Sequence, residues 1–126
     1  MISNYFLRVK STLGEYAHII SSYSTSEKTY SDKKGFIAAE IIFYDESKLD
    51  FAEVKNTNEL GKKKYRYHYR NENDQLIFRY DNAKHYPTLS TFPHHKHTPE
   101  NVEESEEPEI EGVLSEIERI VVKKKK

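Results

Sequence analysis

The stretch that most constrains this chain is KYRYHYRNENDQLIFRYD, residues 64–81. Side chains on a strand alternate between its two faces, so a strict two-residue period decides what each face is made of. In the first run Tyr65, Tyr67 and Tyr69 take one side, and Arg66, His68 and Arg70 take the other. In the second run Leu76, Phe78 and Tyr80 oppose Ile77, Arg79 and Asp81. The polar NEND between them, residues 71–74, reads as a turn, so the two runs form an antiparallel hairpin. A four-residue loop sets Tyr69 against Leu76, Tyr67 against Phe78 and Tyr65 against Tyr80. On the other side Arg70 meets Gln75, His68 meets Ile77 and Arg66 meets Arg79, with Asp81 at the end. The aromatic side is the expected core, and the cationic side is the expected ligand face.

Helical and strand patterns surround the hairpin. Residues 4–20 carry Phe6, Val9, Leu13, Tyr16, Ala17 and Ile20 at helical spacing, with Gly14 marking a bend or a close approach. Three strands are predicted next, over 22–31, 36–44 and 49–56. The middle one, FIAAEIIFY, is apolar on both faces for much of its length, as expected of a strand near the middle of a sheet. The third puts Leu49, Phe51 and Glu53 on one face. Residues 100–107 read as a solvated linker. Residues 108–122 then begin with proline and acids, and place Ile110, Val113 or Leu114, Ile117 and Val121 on one stripe of a closing helix. The expected architecture is α+β: one antiparallel sheet of about five strands with an N-terminal and a C-terminal helix packed on it. It forms a single domain over residues 1–126, with the lysines at 123–126 disordered.

A chain of 126 residues holds one core, and without cysteine it has neither a disulfide framework nor a thiolate ligand. No stretch approaches the ~20 apolar residues that span a bilayer, and no basic start precedes an apolar run. A cytoplasmic protein with no membrane partner is expected. The net charge of -1 hides a sorting of charge along the chain. Residues 62–97 carry eight Lys and Arg against three acids, whereas residues 98–122 carry nine Glu against one Arg. The first segment suits a phosphate-bearing ligand; the second repels one.

Four of the six histidines fall within residues 79–97. In extended chain His94 and His95 point apart and cannot easily share an ion, whereas His95 and His97 can, with Asp81 or His85 as a third ligand. The spacing matches no specific metal signature, and neither a metal nor another cofactor is expected. Acid–base chemistry asks for less. Metal-independent RNA cleavage needs a base for the ribose 2′-hydroxyl, an acid for the leaving 5′-oxygen and a cation for the phosphate. His68, Arg79, Asp81, His85, His95 and His97 are the candidate catalytic residues, with Pro87 and Pro93 stiffening an extended return that carries the last two back to the hairpin. Arg66, Arg70, Asn82, His94 and Lys96 are the candidate RNA contacts.

The order of YRYHYR, LIFRYDNA, a His-containing step and STFPHHKH, followed by an acidic closing helix, resembles the TumE family of toxin components. The motif falls on Tyr67, His68, Phe78 to Ala83, His85, Pro87, Thr91 to His95 and His97. One position departs from the family pattern, because Tyr86 stands where a second histidine of the step is expected. The resemblance implies a toxin of a type II toxin–antitoxin system with a helix-turn-helix antitoxin of TumA type as partner. A layout of this kind also suits small RNA-cleaving toxins, which makes an endoribonuclease acting on messenger RNA the leading expectation. A non-enzymatic regulator that binds nucleic acid or protein through the same hairpin face is the alternative. The oligomeric state is open, a homodimer included.

Overall fold

A computed structural model describes residues 1–124. The chain runs α1 (Ile2–Glu15), β1 (Ile20–Thr29), β2 (Lys34–Phe43), β3 (Lys48–Asn56), β4 (Lys64–Arg70), β5 (Leu76–Asp81), β6 (His95–His97), β7 (Val102–Glu104) and α2 (Ile110–Lys124). All seven strands join one antiparallel sheet in the order in which they occur in the chain. The architecture is α+β as expected, but the sheet has seven strands rather than about five. The extra pair lies in segments read from sequence as an extended return and a linker. Val102–Glu104 pairs with His95–His97 and forms the sheet's short acidic edge. Among the described residues no helix is long and apolar enough to cross a membrane.

Both helices lie on one face of the sheet. Ile2, Tyr5, Phe6, Val9 and Leu13 of α1 and Ile110, Val113, Leu114, Ile117 and Val121 of α2 are buried. They meet Ile37, Ile41, Leu49, Phe51, Tyr67, Tyr69 and Phe78 from the strands. At Gly35 a Cβ atom would come within 2.7 Å of the Phe6 ring and of the Lys28 carbonyl, so α1 can cross the β1–β2 hairpin there only over a glycine. Gly14, by contrast, has open space around it. α1 stops at Glu15 and residues 16–19 turn the chain into β1, so Ala17 is exposed rather than part of the predicted helical stripe. Tyr16 donates to Glu111 at 3.0 Å and His18 meets Glu118, tying the two helices together. α2 continues through Lys123 and Lys124, so these two lysines are helical; the remainder of the expected disordered tail lies outside the described residues.

From Phe78 onward the central hairpin keeps the predicted faces with a different register, but Leu76 and Ile77 exchange sides: Leu76 falls opposite Arg70 on the open face and Ile77 packs against the core. Tyr67 lies opposite Tyr80, His68 opposite Arg79 and Tyr69 opposite Phe78, two positions from the pairing a four-residue loop dictates. Two single-residue insertions account for this. The loop takes in Gln75, closed by Asn71 N–H to Gln75 O at 2.9 Å and by Asn71 Oδ1, which accepts from the amides of Asn73 and Gln75. A bulge then leaves Ile77 unpaired between Leu76 and Phe78. Each insertion flips the side-chain parity and together they restore it. Phe78, 2% exposed, contacts the rings of Tyr69 and Tyr80. Phe78→Ala is expected to cost about 3 to 5 kcal/mol in urea unfolding; a loss under 1 kcal/mol would mean that the aromatic face is not the core.

One carboxylate sits in that core. Glu53 is 1% exposed and accepts from the hydroxyls of Tyr5 on α1 and Tyr67 on β4. Burial pushes its pKa up, and the cation of Lys62 opposes the shift. Lys62 Nζ is itself buried over the Tyr65 and Tyr67 rings and donates to Pro108 O at 2.7 Å, in the approach to α2. One polar cluster thus holds α1, β3, β4 and the start of α2. Glu53→Ala leaves two hydroxyls unpaired and is expected to cost about 3 kcal/mol or more, whereas Glu53→Gln, which can still accept, should cost less. Equal stabilities of the two variants would show the cluster to be incidental.

Candidate functional site

The face away from the helices is uncovered. Cross-strand register lines up Ala52, Arg66, Asp81, His95 and Glu104 in one row and Asp50, His68, Arg79, His97 and Val102 in the next. Arg79, Asp81, His95 and His97 converge because β6 runs back beside β5, with Arg79 opposite His97 and Asp81 opposite His95. The return is not extended throughout. Residues 83–93 form successive turns, with Leu89 N–H to Tyr86 O at 3.2 Å and His94 N–H to Thr91 O at 2.8 Å, and only His95–His97 pairs as strand.

Asp81, 6% exposed, is the hub of the cluster. Its Oδ2 accepts from Arg79 Nε at 3.0 Å and lies 3.5 Å from His97 Nε2. Its Oδ1 accepts from the Ala83 amide at 3.1 Å and lies 2.7 Å from His95 Nε2, a close contact without the alignment of a hydrogen bond. His95 is 1% exposed, and its Nδ1 is 2.9 Å from the Pro93 carbonyl, to which it donates. Arg79 Nη2 lies 3.0 Å from His97 Nε2, which the guanidinium reaches as donor. The ligating atoms of Asp81, His95 and His97 fall within 4.8 Å of one another, close enough to share a cation. The Arg79 guanidinium already stands against Asp81 Oδ2 and His97 Nε2.

His68 faces this cluster from β4, directly across from Arg79. Partial burial, then the nearby Arg70, Arg79 and Arg66, hold its pKa below the usual 6.5. His97 is held below the same value by burial and then Arg79, with Asp81 pulling the other way. Both imidazoles are therefore biased toward the neutral form. Arg66 is exposed and, among the described residues, has neither a hydrogen bond nor an ion pair.

Of the other sequence candidates, His85 stays at the rim, near enough for its charge to act on His97, and the rest go elsewhere. His85 is exposed on the turn segment, its ring 6.4 Å from that of Tyr86. His94 is turned to the opposite side, 2.8 Å from the Tyr65 hydroxyl and stacked on that ring at 5.7 Å. Lys96 also points toward the helices, ion-paired with Glu116 at 2.9 Å over the Tyr80 and Phe78 rings. Arg70 is neutralised by Asp50 at 2.6 Å. The Asn82 side chain accepts from Tyr65 N–H at 3.0 Å and donates to Lys63 O at 3.2 Å, clamping the start of β4. Sequence reasoning gave Tyr86 no positive role, yet its ring packs edge-on against His95 at 5.0 Å and His97 at 5.9 Å. Only its place between His85 and Pro87 hinted at that.

Comparison with curated proteins and with solved structures finds no match. A family described as "Toxin TumE" matches residues 10–124, a span that takes in every strand, the C-terminal part of α1 and all of described α2. With nearly the whole fold inside the match, and the Arg79–Asp81–His97 cluster with it, the chain belongs to the TumE toxin family.

Proposed function

We propose that this toxin is a metal-independent endoribonuclease, and that the exposed face around Arg79 is its active site. The observation that carries the reading is the Arg79 guanidinium itself. Asp81 and His97 hold it in place on an open face, directly opposite a histidine biased toward the neutral form. Cleavage within RNA needs that combination of a fixed cation and adjacent imidazoles.

In this reading Arg79 and Arg66 hold the scissile phosphate. Neutral His68 takes the proton from the ribose 2′-hydroxyl, and the 2′-oxygen attacks phosphorus. The P–O5′ bond breaks, and His97, backed by Asp81, protonates the departing 5′-oxygen. Products with a 2′,3′-cyclic phosphate and a free 5′-hydroxyl balance the step. Asp81 and His95 are too buried to touch substrate and act as positioning residues. His85 stands at the rim as a second proton donor. His94, Lys96, Arg70 and Asn82 have structural partners and drop out of the proposed RNA-contacting set. The partner that restrains the toxin is an antitoxin of helix-turn-helix type, and the site of action is the cytoplasm.

The buried state of Asp81 and His95 favours one other reading, in which the accessible arginines bind RNA without cutting it. Purified protein incubated with RNA in EDTA separates the two. Removal of one acid or base typically lowers a rate by about 10² to 10⁴, so His68→Ala and Arg79→Ala should each relieve growth arrest when expressed without the partner, in proteins that remain folded. If both stay as toxic as the parent, the catalytic assignment fails.

The pH dependence follows from the shifts. The base must be neutral, so activity falls once pH drops through the lowered pKa of His68. The acid must be protonated, so activity also falls as pH rises through the lowered pKa of His97. Both lie below 6.5 in the free protein. The profile of kcat/KM, which reports the free enzyme, should therefore peak below pH 6.5; a maximum at neutral or alkaline pH would reject this pairing of roles.

A further inference from the structure

The uncovered face continues past the arginines to β1, and there the side chains become small. Register places Ser26, Ala38, Ala52 and Arg66 in one row, with Ser24, Glu40, Asp50 and His68 in the next. All of these except His68, together with Phe36, line an open hollow of about 500 Å³ that Arg66 closes at one end. A second hollow of about 320 Å³ adjoins it and shares Phe36, Ala52 and Arg66. Phe36 is half-buried and makes no contact with another aromatic ring among the described residues. Glu40 is exposed and, among the described residues, has neither an ion pair nor a hydrogen bond, although Asp50 beside it is taken by Arg70. The trough thus joins a free guanidinium at one end to a free carboxylate two strands away, with an aromatic ring and a floor of alanine and serine between them.

Two strand spacings are roughly 10 Å, about the reach from a nucleotide's phosphate to the far edge of its own base. We propose that this trough is the base-reading subsite of the same site. It holds a guanine of single-stranded RNA, with Phe36 against the base, Glu40 accepting from its Watson–Crick edge and Arg66 on the adjoining phosphate. The inference rests on the RNA reading above. Its chemistry selects guanine among the four bases. Guanine alone presents two adjacent donors, N1–H and the 2-amino group, which match the two oxygens of one carboxylate. Adenine and cytosine set a ring-nitrogen acceptor beside their amino group, and uracil flanks its single N–H with two carbonyls, so each brings a lone pair against Glu40. The small side chains at Ser24, Ser26, Ala38 and Ala52 leave room for a ring to lie on the sheet, as unstacked bases do on sheet surfaces.

The test uses the full-length His68→Ala protein, which would bind RNA without cutting it, and short oligouridine strands carrying one guanosine, inosine, adenosine or cytidine. Guanosine should bind about tenfold to a hundredfold tighter than adenosine or cytidine, the range of one well-made paired contact to a base edge. Inosine, which lacks the 2-amino donor, should fall between. Adding Glu40→Gln should abolish the guanosine advantage, and Phe36→Ala should weaken binding of all strands that carry a purine. In cleavage assays with the His68-containing protein, Glu40→Gln should raise KM for guanosine-containing RNA more than it lowers kcat. Equal binding of all strands, or a guanosine preference that survives Glu40→Gln, would overturn the subsite and leave the RNA reading standing. If the protein neither binds nor cuts any strand, the RNA reading itself is wrong and the subsite falls with it.

Discussion

A strand can hide only every second side chain, and in β4 the hidden ones are Tyr65, Tyr67 and Tyr69, all at most 2% exposed. Almost everything else follows from that. Three phenol rings buried side by side demand an apolar cover, which α1 and α2 supply, and a partner for each hydroxyl. Glu53 serves Tyr67, Ser47 serves Tyr69 and His94 serves Tyr65. The same alternation commits Arg66, His68 and Arg70 to the opposite face, where no helix covers them. Moving β4 by one residue would place three cationic or imidazole side chains in the core and three tyrosines in water, so the fold and the candidate site share one geometric cause.

The two faces handle charge in different ways. On the covered face the buried titratable groups are enclosed by partners: Glu53 by two tyrosines, Lys62 by a carbonyl and two glutamates, Lys96 by Glu116. On the open face Asp81 holds Arg79 and two histidines in place from below, while Arg66 keeps its charge uncompensated. Groups of the first kind hold the layers together. Those of the second kind leave a potential that water and counter-ions satisfy until a ligand replaces them.

Much of this was legible in the residues. The alternation in KYRYHYR separated core from surface position by position, and the stripe from Ile110 to Val121 marked the closing helix. Parity put Glu53 on one face with Leu49 and Phe51, and that face is the buried one. What could not be read was count and cover. Parity is insensitive to an even register error, so the five-residue loop and the bulge at Ile77 left the faces right from Phe78 onward and the partners wrong, while Leu76 and Ile77 changed sides. Strands as short as β6 and β7 have no periodicity of their own, and acids at 103–104 resemble a solvated linker as readily as an edge strand. The apolar run in β2 suggested a strand near the middle of a sheet, and β2 is flanked by β1 and β3; its Phe36 and Ala38 nonetheless face an open trough, because alanine is apolar without being large enough to require burial. His94 and Lys96 were placed with their neighbours by motif, although strand alternation sends both to the other side.

The sheet's strands pair only with their neighbours in sequence, so every hairpin but β5–β6, whose connection spans residues 82–94, can close over a short loop with little loss of chain entropy. The helices are different: Tyr16 and Glu111, or His18 and Glu118, meet across 95 and 100 residues of chain. An order of assembly follows from this topology. The meander can zip up early as a ribbon with a wet aromatic side, and the core dries only when both ends of the chain fold over that side together. Until then the candidate site has its residues in sequence register but not a rigid backing. Loss of α2 alone would let water return beneath Phe78 and Tyr80, and so loosen the strand that carries Arg79 and Asp81.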